Sequence, residues 1–224
     1  MNAFLYKYKN EVLVPPLEMV DDIVAAVKCG KQAVQTNSAI NTFIKLKKLE
    51  LSVAKCSRLH VGKNKCDPCA KLMVGQEPIK ESYKEKYLGD YVTHHANPKA
   101  TIEDRKKKGN GILSEMWAIL GDIPLGERRF EMGMTLRQAW FINGTLYNSE
   151  VWCSFSNADI EVLNVLHRKI ILLITGAHSK TPSELLYLET GALTISHVIA
   201  VRRHLYLEKT YSWARGQQSC QESL

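Results

Sequence analysis

The spacing of apolar positions changes character near residue 97, and that change organises the chain. Before it, apolar residues come in short runs broken by turn-forming ones. Phe4-Leu5-Tyr6-Lys7-Tyr8 and Glu11-Val12-Leu13-Val14 flank Lys9-Asn10, which predicts a hairpin. After Pro15-Pro16, Leu17-Glu18-Met19-Val20 and Ile23-Val24-Ala25-Ala26-Val27 are separated only by Asp21-Asp22. This predicts two strands joined by a turn that carries both aspartates, with Gly30 closing the unit. From 31 to 50 the period lengthens. Ala33, Val34, Asn37, Ile40, Ile44 and Lys48 recur at three- and four-residue spacing, which predicts a helix packed by one face on the preceding strands. Strand-like pieces follow at Arg58–Val61, Lys71–Val74, Pro78–Lys80 and Tyr87–Val92, punctuated by Gly62 and Gly75.

Beyond Pro98 the pattern is helical, with helices predicted over Thr101–Leu120, Arg128–Trp152, Asn157–Ile174, Pro182–Thr190 and Ile195–Trp213. Two have readable starts. Thr181-Pro182-Ser183-Glu184 offers a capping hydroxyl, a proline at the first helical position and a carboxylate three residues past the cap; Ser156-Asn157-Ala158-Asp159 is a similar box. Gly121, Gly176 and Gly191 stand at predicted helix ends. The fold class is therefore α+β: antiparallel strands plus one helix over 1–97, then an all-helical region over 98–224, with the boundary at Ala96-Asn97-Pro98.

Charge adds a direction. The chain carries a formal net charge of +7, and residues 45–71 hold eight basic residues against two acidic ones. A concentrated excess of this kind suits a polyanionic partner or a solvated face. The longest apolar run, Ile170 to Thr175, is far too short to cross a bilayer, and Met1–Tyr8 lacks the apolar core of a signal peptide. An intracellular protein of the cytoplasm or nucleus, with no membrane partner and with its six cysteines as reduced thiols, is expected.

Adjacent aspartates inside apolar runs are costly in a buried strand, since each charge would need compensation. At the tip of a tight turn they project from an exposed edge, where carboxylate oxygens hold hard cations such as magnesium. Nucleotidyl transfer uses such a pair: two metals roughly 3.5–4 Å apart activate the attacking hydroxyl and stabilise the leaving group.

Val20-Asp21-Asp22-Ile23, then a helix, then Lys48–Cys56 and Lys86-Tyr87-Leu88-Gly89-Asp90 occur in one order. This resembles the palm of reverse transcriptases from non-long-terminal-repeat retrotransposons: the catalytic box, a lysine-bearing segment and the primer-grip hairpin. The resemblance continues through Arg105-Lys106-Lys107-Lys108-Gly109, Leu136–Trp140, Glu150-Val151-Trp152 and Glu184–Glu189 to Arg202-Arg203, nearly the whole chain. It implies a partial palm followed by a helical thumb and extension, acting on an RNA template and DNA primer. Asp21 and Asp22 would be the magnesium-binding catalytic carboxylates. Lys55 would approach the incoming deoxynucleoside triphosphate and protonate the departing pyrophosphate. Tyr87, Leu88 and Gly89 would form the primer grip, and Lys47, Lys48, Arg105, Lys106, Lys107 and Lys108 would bind nucleic-acid phosphates. Met19 stands where the family usually has an aromatic residue, which bears on nucleotide discrimination. About twenty residues precede Asp21, whereas the family's fingers and first catalytic aspartate lie upstream of its box. The expectation is a segment of a polymerase that does not polymerise alone; the alternative is a non-catalytic nucleic-acid-binding remnant or host-adopted protein.

Other constellations weigh less. Cys56, His60, Cys66 and Cys69 have zinc-like ligand types at short intervals, against a buried thiol and a Cys-Asp-Pro-Cys turn as the plainer reading. His94-His95 reads as a solvated loop pair, Trp117, Trp140, Trp152 and Trp213 as helix-packing residues, and one of Arg202 and Arg203 as a bridge between helices.

Overall fold

The computed structural model describes residues 7–8, 11–12, 17–19, 22–62, 71–152 and 155–221, with side chains for 23–62, 71–152 and 155–212. The chain divides into two compact units. A β-rich unit comprises 1–85 and 93–96, and a helical unit comprises 86–92 and 97–224. The change of pattern near residue 97 thus coincides with one crossing between units, but the tip of a hairpin, residues 86–92, belongs with the helices.

In the β-rich unit, β1 (Lys7–Tyr8) pairs antiparallel with β2 (Glu11–Val12), and β3 (Leu17–Met19) with β4 (Asp22–Val24). Gly30, expected to close the strand unit, instead opens α1 (Gly30–Leu46), with Ala33 N–H donating to Cys29 O at 3.0 Å. Lys48, at φ 53°, turns the chain away from the helix. Asn37 and Asn41, one turn apart, both donate from Nδ2 to Met73 O at 2.9 Å. Their two donors on one carbonyl fasten α1 to the segment after residue 70, a contact that apolar periodicity alone would not suggest.

β5 (Ser57–Leu59), β6 (Met73–Val74), β7 (Glu77–Pro78) and β8 (Lys80–Ser82) follow a 3-10 turn at Val53–Lys55. β6 and β7 form a hairpin, and β5 pairs with β8 in parallel. An all-antiparallel arrangement was expected; inserting a hairpin between β5 and β8 returns the chain in its original direction, so the pair is parallel. Every sheet among the described residues has two strands. β9 (Lys84–Tyr87) and β10 (Asp90–Thr93) form the last hairpin.

The helical unit contains α2 (Lys99–Leu120), α3 (Glu127–Leu136), a π-helical segment (Arg137–Ile142), α4 (Asn143–Thr145), a 3-10 turn (Ser149–Val151), α5 (Asn157–Thr175), α6 (Ser183–Thr190) and α7 (Ile195–Gln221). Met116, Leu120, Phe141, Leu146, Leu163, Ile170, Ile174, Ile195 and Ile199 form its enclosed core. Two glycines let helices approach closely: a Cβ on Gly133 would lie 2.7 Å from Ile174, and one on Gly109 would lie 3.0 Å from Leu166.

The single helix expected over 128–152 is interrupted. The π segment carries an extra residue per turn, and Asn148 adopts φ 61°. The interruption coincides with the enclosure of Arg137 and Phe141, which a uniform 3.6-residue pattern does not anticipate. The Ser156 box forms as expected: Ser156 Oγ accepts from Asp159 N–H at 3.2 Å, and Asp159 Oδ2 accepts from Ser156 N–H at 2.9 Å. The Thr181 box does not form. Pro182 is the cap residue of α6 and no side chain caps the helix, while Thr181 O accepts from Arg168 instead. Gly176, at φ 67°, ends α5 in the left-handed region, whereas Gly121 keeps right-handed helical angles.

Candidate nucleic-acid interface

In the β-rich unit the acidic hairpin is set by backbone register. Met19 pairs with Asp22, Glu18 with Ile23 and Leu17 with Val24, so Asp22 belongs to β4 and not, as expected, to the turn between the strands. Val20, Asp21 and the Asp22 side chain lie outside the described residues. Among the described residues, no group of three or more His, Cys, Asp or Glu side chains is arranged to hold a metal ion.

Lys47 and Lys48 are exposed just past α1, and Lys55 is exposed at the end of the 3-10 turn. All three ammonium groups therefore remain in water, available to a mobile anion. Burial pushes the neighbouring Cys56 thiol up, which favours its protonated form.

In the helical unit, Leu88 (φ 47°) and Gly89 (φ 89°) are the two central residues of the β9–β10 turn. Positive φ at both is the I′ geometry that two-residue hairpins prefer, and it explains the glycine. The tip is held from several sides. Asn148 Nδ2 donates to Leu88 O at 3.0 Å. Arg105 Nη2 donates to Gly89 O at 3.1 Å and to Asp90 Oδ1 at 2.7 Å. Trp152 Nε1 donates to Asp90 Oδ2 at 3.4 Å, and a Cβ on Gly89 would meet the Tyr147 ring at 3.2 Å. Tyr87, Leu88 and Gly89 are thus anchored by α2 and the segment around residues 147–152.

Arg105 departs from its expected place at the phosphate surface. It is 3% exposed, and its Asp90 ion pair and carbonyl acceptors occupy the guanidinium inside the unit. A delocalised, planar cation suits this many-acceptor role better than an ammonium would. Lys106, Lys107 and Lys108 remain exposed on α2. They fan around the helix by about 100° per residue, so they cannot all face one surface. The Lys108 stem lies along Gly144, where a Cβ would come within 3.2 Å of its Cε.

A second buried cation was not anticipated from the sequence. Arg137, 6% exposed, donates from Nε to His167 Nε2 at 2.6 Å, and the fully enclosed imidazole stacks on Phe141 at 5.7 Å. Burial, reinforced by the Arg137 charge, pushes His167 down to about 3, so the ring stays neutral and accepts the bond. Arg137 is depressed by the same burial, and Tyr187, tilted against His167, is raised chiefly by desolvation. The only advance signal was a charged residue on the core side of an amphipathic pattern.

Both arginines near residue 202 bridge. Arg202 Nη1 donates to Leu146 O at 2.5 Å and Nη2 to Asn143 Oδ1 at 3.1 Å, while Arg203 Nη2 donates to Trp152 O. Trp152 is buried as expected, but Trp117 is 65% exposed; the Trp213 side chain lies outside the described residues. Of the zinc-like set, Cys56 and His60 are half-buried in the β-rich unit, and Cys66 and Cys69 lie outside the described residues. His94 is not the solvated loop residue expected. It is half-buried, its ring 5.5 Å from that of His60.

Among the described residues, no single helix is long and apolar enough to cross a membrane. No family model, curated protein or solved structure matches the chain.

Proposed function

We propose that the chain is the C-terminal part of a non-long-terminal-repeat retrotransposon reverse transcriptase, comprising the back of the palm and a helical thumb with its extension. The observation that supports this reading is the β3–β4 hairpin, in which Asp22 opens β4 opposite Met19 and Asp21 precedes it directly in sequence. A carboxylate pair at a tight turn presents oxygens to a divalent ion without burying two charges in a strand. The clamped turn at Tyr87-Leu88-Gly89, in the order the family requires, adds weight.

Asp21 and Asp22 would hold magnesium, which when bound neutralises charge developing on the phosphates. Lys55, exposed on a short turn, supplies an ammonium that donates a proton to the leaving pyrophosphate. The Tyr87–Gly89 turn positions the primer backbone; its rigidity comes from Arg105 and Asn148, which makes Arg105 a positioning residue. Lys47 and Lys48, with those of Lys106, Lys107 and Lys108 that face the RNA–DNA duplex, bind its phosphates electrostatically.

The test joins these residues to an upstream polymerase half and measures DNA synthesis on an RNA template with intact and Asp21→Asn protein. Loss of magnesium-dependent synthesis in the variant is expected. Equal synthesis removes Asp21 from the mechanism. The 224 residues alone are expected to bind an RNA–DNA duplex without extending the primer; magnesium-dependent extension by them overturns that part.

A further inference from the structure

We propose that the solvent face of α2 binds an unpaired nucleic-acid strand, with the Trp117 indole stacking on a base while Lys106 and Lys107 neutralise its phosphates. The inference rests on the nucleic-acid-binding part of the proposed function. It adds a contact to a base, where lysines alone meet only the backbone.

Helical geometry places the face. At about 100° per residue, Lys106, Lys107, Asn110, Ser114 and Trp117 fall within one sector of roughly 100° on α2, and all five are exposed. The buried residues of the helix, among them Arg105, Ile112, Met116 and Leu120, occupy a separate sector. Lys108 lies outside the stripe, its stem along Gly144. From Lys106 to Trp117 the stripe runs about 16 Å, the length of four or five nucleotides stacked at roughly 3.4 Å each. Glu103 is the one carboxylate of α2 in this sector, and it lies at the end of the stripe far from Trp117.

Trp117 is the member that packing does not account for. It is 65% exposed, whereas Trp152 is buried, stacks on Phe155 and donates to Asp90. Every base has a π-face, and proteins hold single strands by combining cationic side chains with aromatic platforms. Bases inside a duplex have both faces covered by their neighbours, so a protruding indole selects an unpaired strand. A protein partner fits this face less well. Aromatic anchors of protein interfaces sit in an apolar centre depleted of lysine, and here the indole shares its side of α2 with lysine, asparagine and serine.

The test titrates the full chain into a fluorescently labelled, unstructured single strand and into an abasic strand of the same length, read by anisotropy. The unsubstituted chain is expected to bind the base-bearing strand more tightly. Trp117→Ala should weaken that binding about tenfold, Trp117→Phe should restore most of it, and neither should change binding of the abasic strand. The tenfold loss should persist at every salt concentration, because stacking releases no counterions. Lys106→Gln and Lys107→Gln should instead flatten the salt dependence, by roughly 0.7 for each lysine. Equal affinity of Trp117→Ala and the unsubstituted chain for the base-bearing strand overturns the proposal, as does an equal loss on both strands. Loss of a self-associated species in Trp117→Ala, with strand binding intact, also overturns it and makes a second copy the occupant. A chain that binds neither strand nor an RNA–DNA duplex removes the proposed function together with this inference, whereas binding that ignores the bases removes this inference alone.

Discussion

The two units handle charge in opposite ways. In the helical unit, Arg105, Arg137 and His167 are buried, and each has side-chain or carbonyl partners. In the β-rich unit, Ile44 alone is buried among the described residues, and Lys47, Lys48 and Lys55 stay in water. A net positive charge therefore does not map directly onto a binding surface. Guanidinium groups satisfy several acceptors at once and so serve as internal clamps, while lysines leave their ammonium in solvent. Stability is divided just as unevenly. A large apolar core sits in the helical unit, whereas two-stranded sheets are marginal by themselves.

The largest effect should follow removal of the clamp. Arg105→Ala leaves Asp90 and the Gly89 carbonyl without their buried donor. Loss of about 4 kcal/mol is expected in urea unfolding followed by helical circular dichroism. A loss under about 1 kcal/mol would show that the ion pair is not structural.

Acid should act on the helical unit through His167. Its folded-state pKa is about 3, below the ordinary 6.5. As pH falls below 6.5 the unfolded chain takes up a proton that the folded chain refuses until about pH 3. Stability is thus present above that window and is lost as pH falls through it. Between pH 7 and pH 4 the loss attributable to this group is roughly 3 kcal/mol. Comparison of unfolding curves with His167→Phe isolates the effect; identical pH slopes would refute it.

Packing effects come next. Gly133→Ala places a methyl 2.7 Å from Ile174, and overpacking of this kind costs about 2 kcal/mol. A variant with unchanged urea midpoint would mean that α3 shifts freely away from α5. The smallest effect is at the α5 cap. Ser156→Ala removes one half of the reciprocal box and should lower stability by about 1 kcal/mol, read from the same unfolding curves.

Lysines invert the order. Replacing Lys106, Lys107 and Lys108 by Gln should leave unfolding nearly unchanged and flatten the salt dependence of RNA–DNA duplex binding, measured by fluorescence anisotropy. The slope should fall by about one for every lysine that neutralises a phosphate. An unchanged slope places the duplex elsewhere, which sharpens the contrast between clamp arginines and surface lysines.

Much of the local structure was legible. The helices over 157–174 and 195–213 were readable because apolar residues recur at helical spacing, and Ser156 announces its helix through a hydroxyl and a carboxylate at a fixed offset. The β3–β4 hairpin was readable from two apolar runs around Asp21-Asp22. The fate of Arg105 was not. Arg105 and Lys106 are adjacent cations in sequence, and only the placement of Asp90, Gly89 and Tyr147 distinguishes a buried arginine from an exposed lysine. Thr181 shows the converse: a complete capping signature fails because the helix starts one residue late, with Pro182, which has no capping side chain, at the cap position.

What the sequence determined by itself is therefore periodic or short-range: a strand-rich part followed by a helical one, where most elements begin, and the hairpin beside the acidic pair. These depend on interactions within a few residues, whose spacing the chain carries explicitly. What only the tertiary structure decided is long-range. It chose which basic residues are buried, broke the helix at Arg137 so that the guanidinium reaches His167, joined β5 to β8 in parallel, and brought His94 beside His60. Such choices depend on the partners that folding brings across tens of residues, and a buried charge is stable only where those partners meet it.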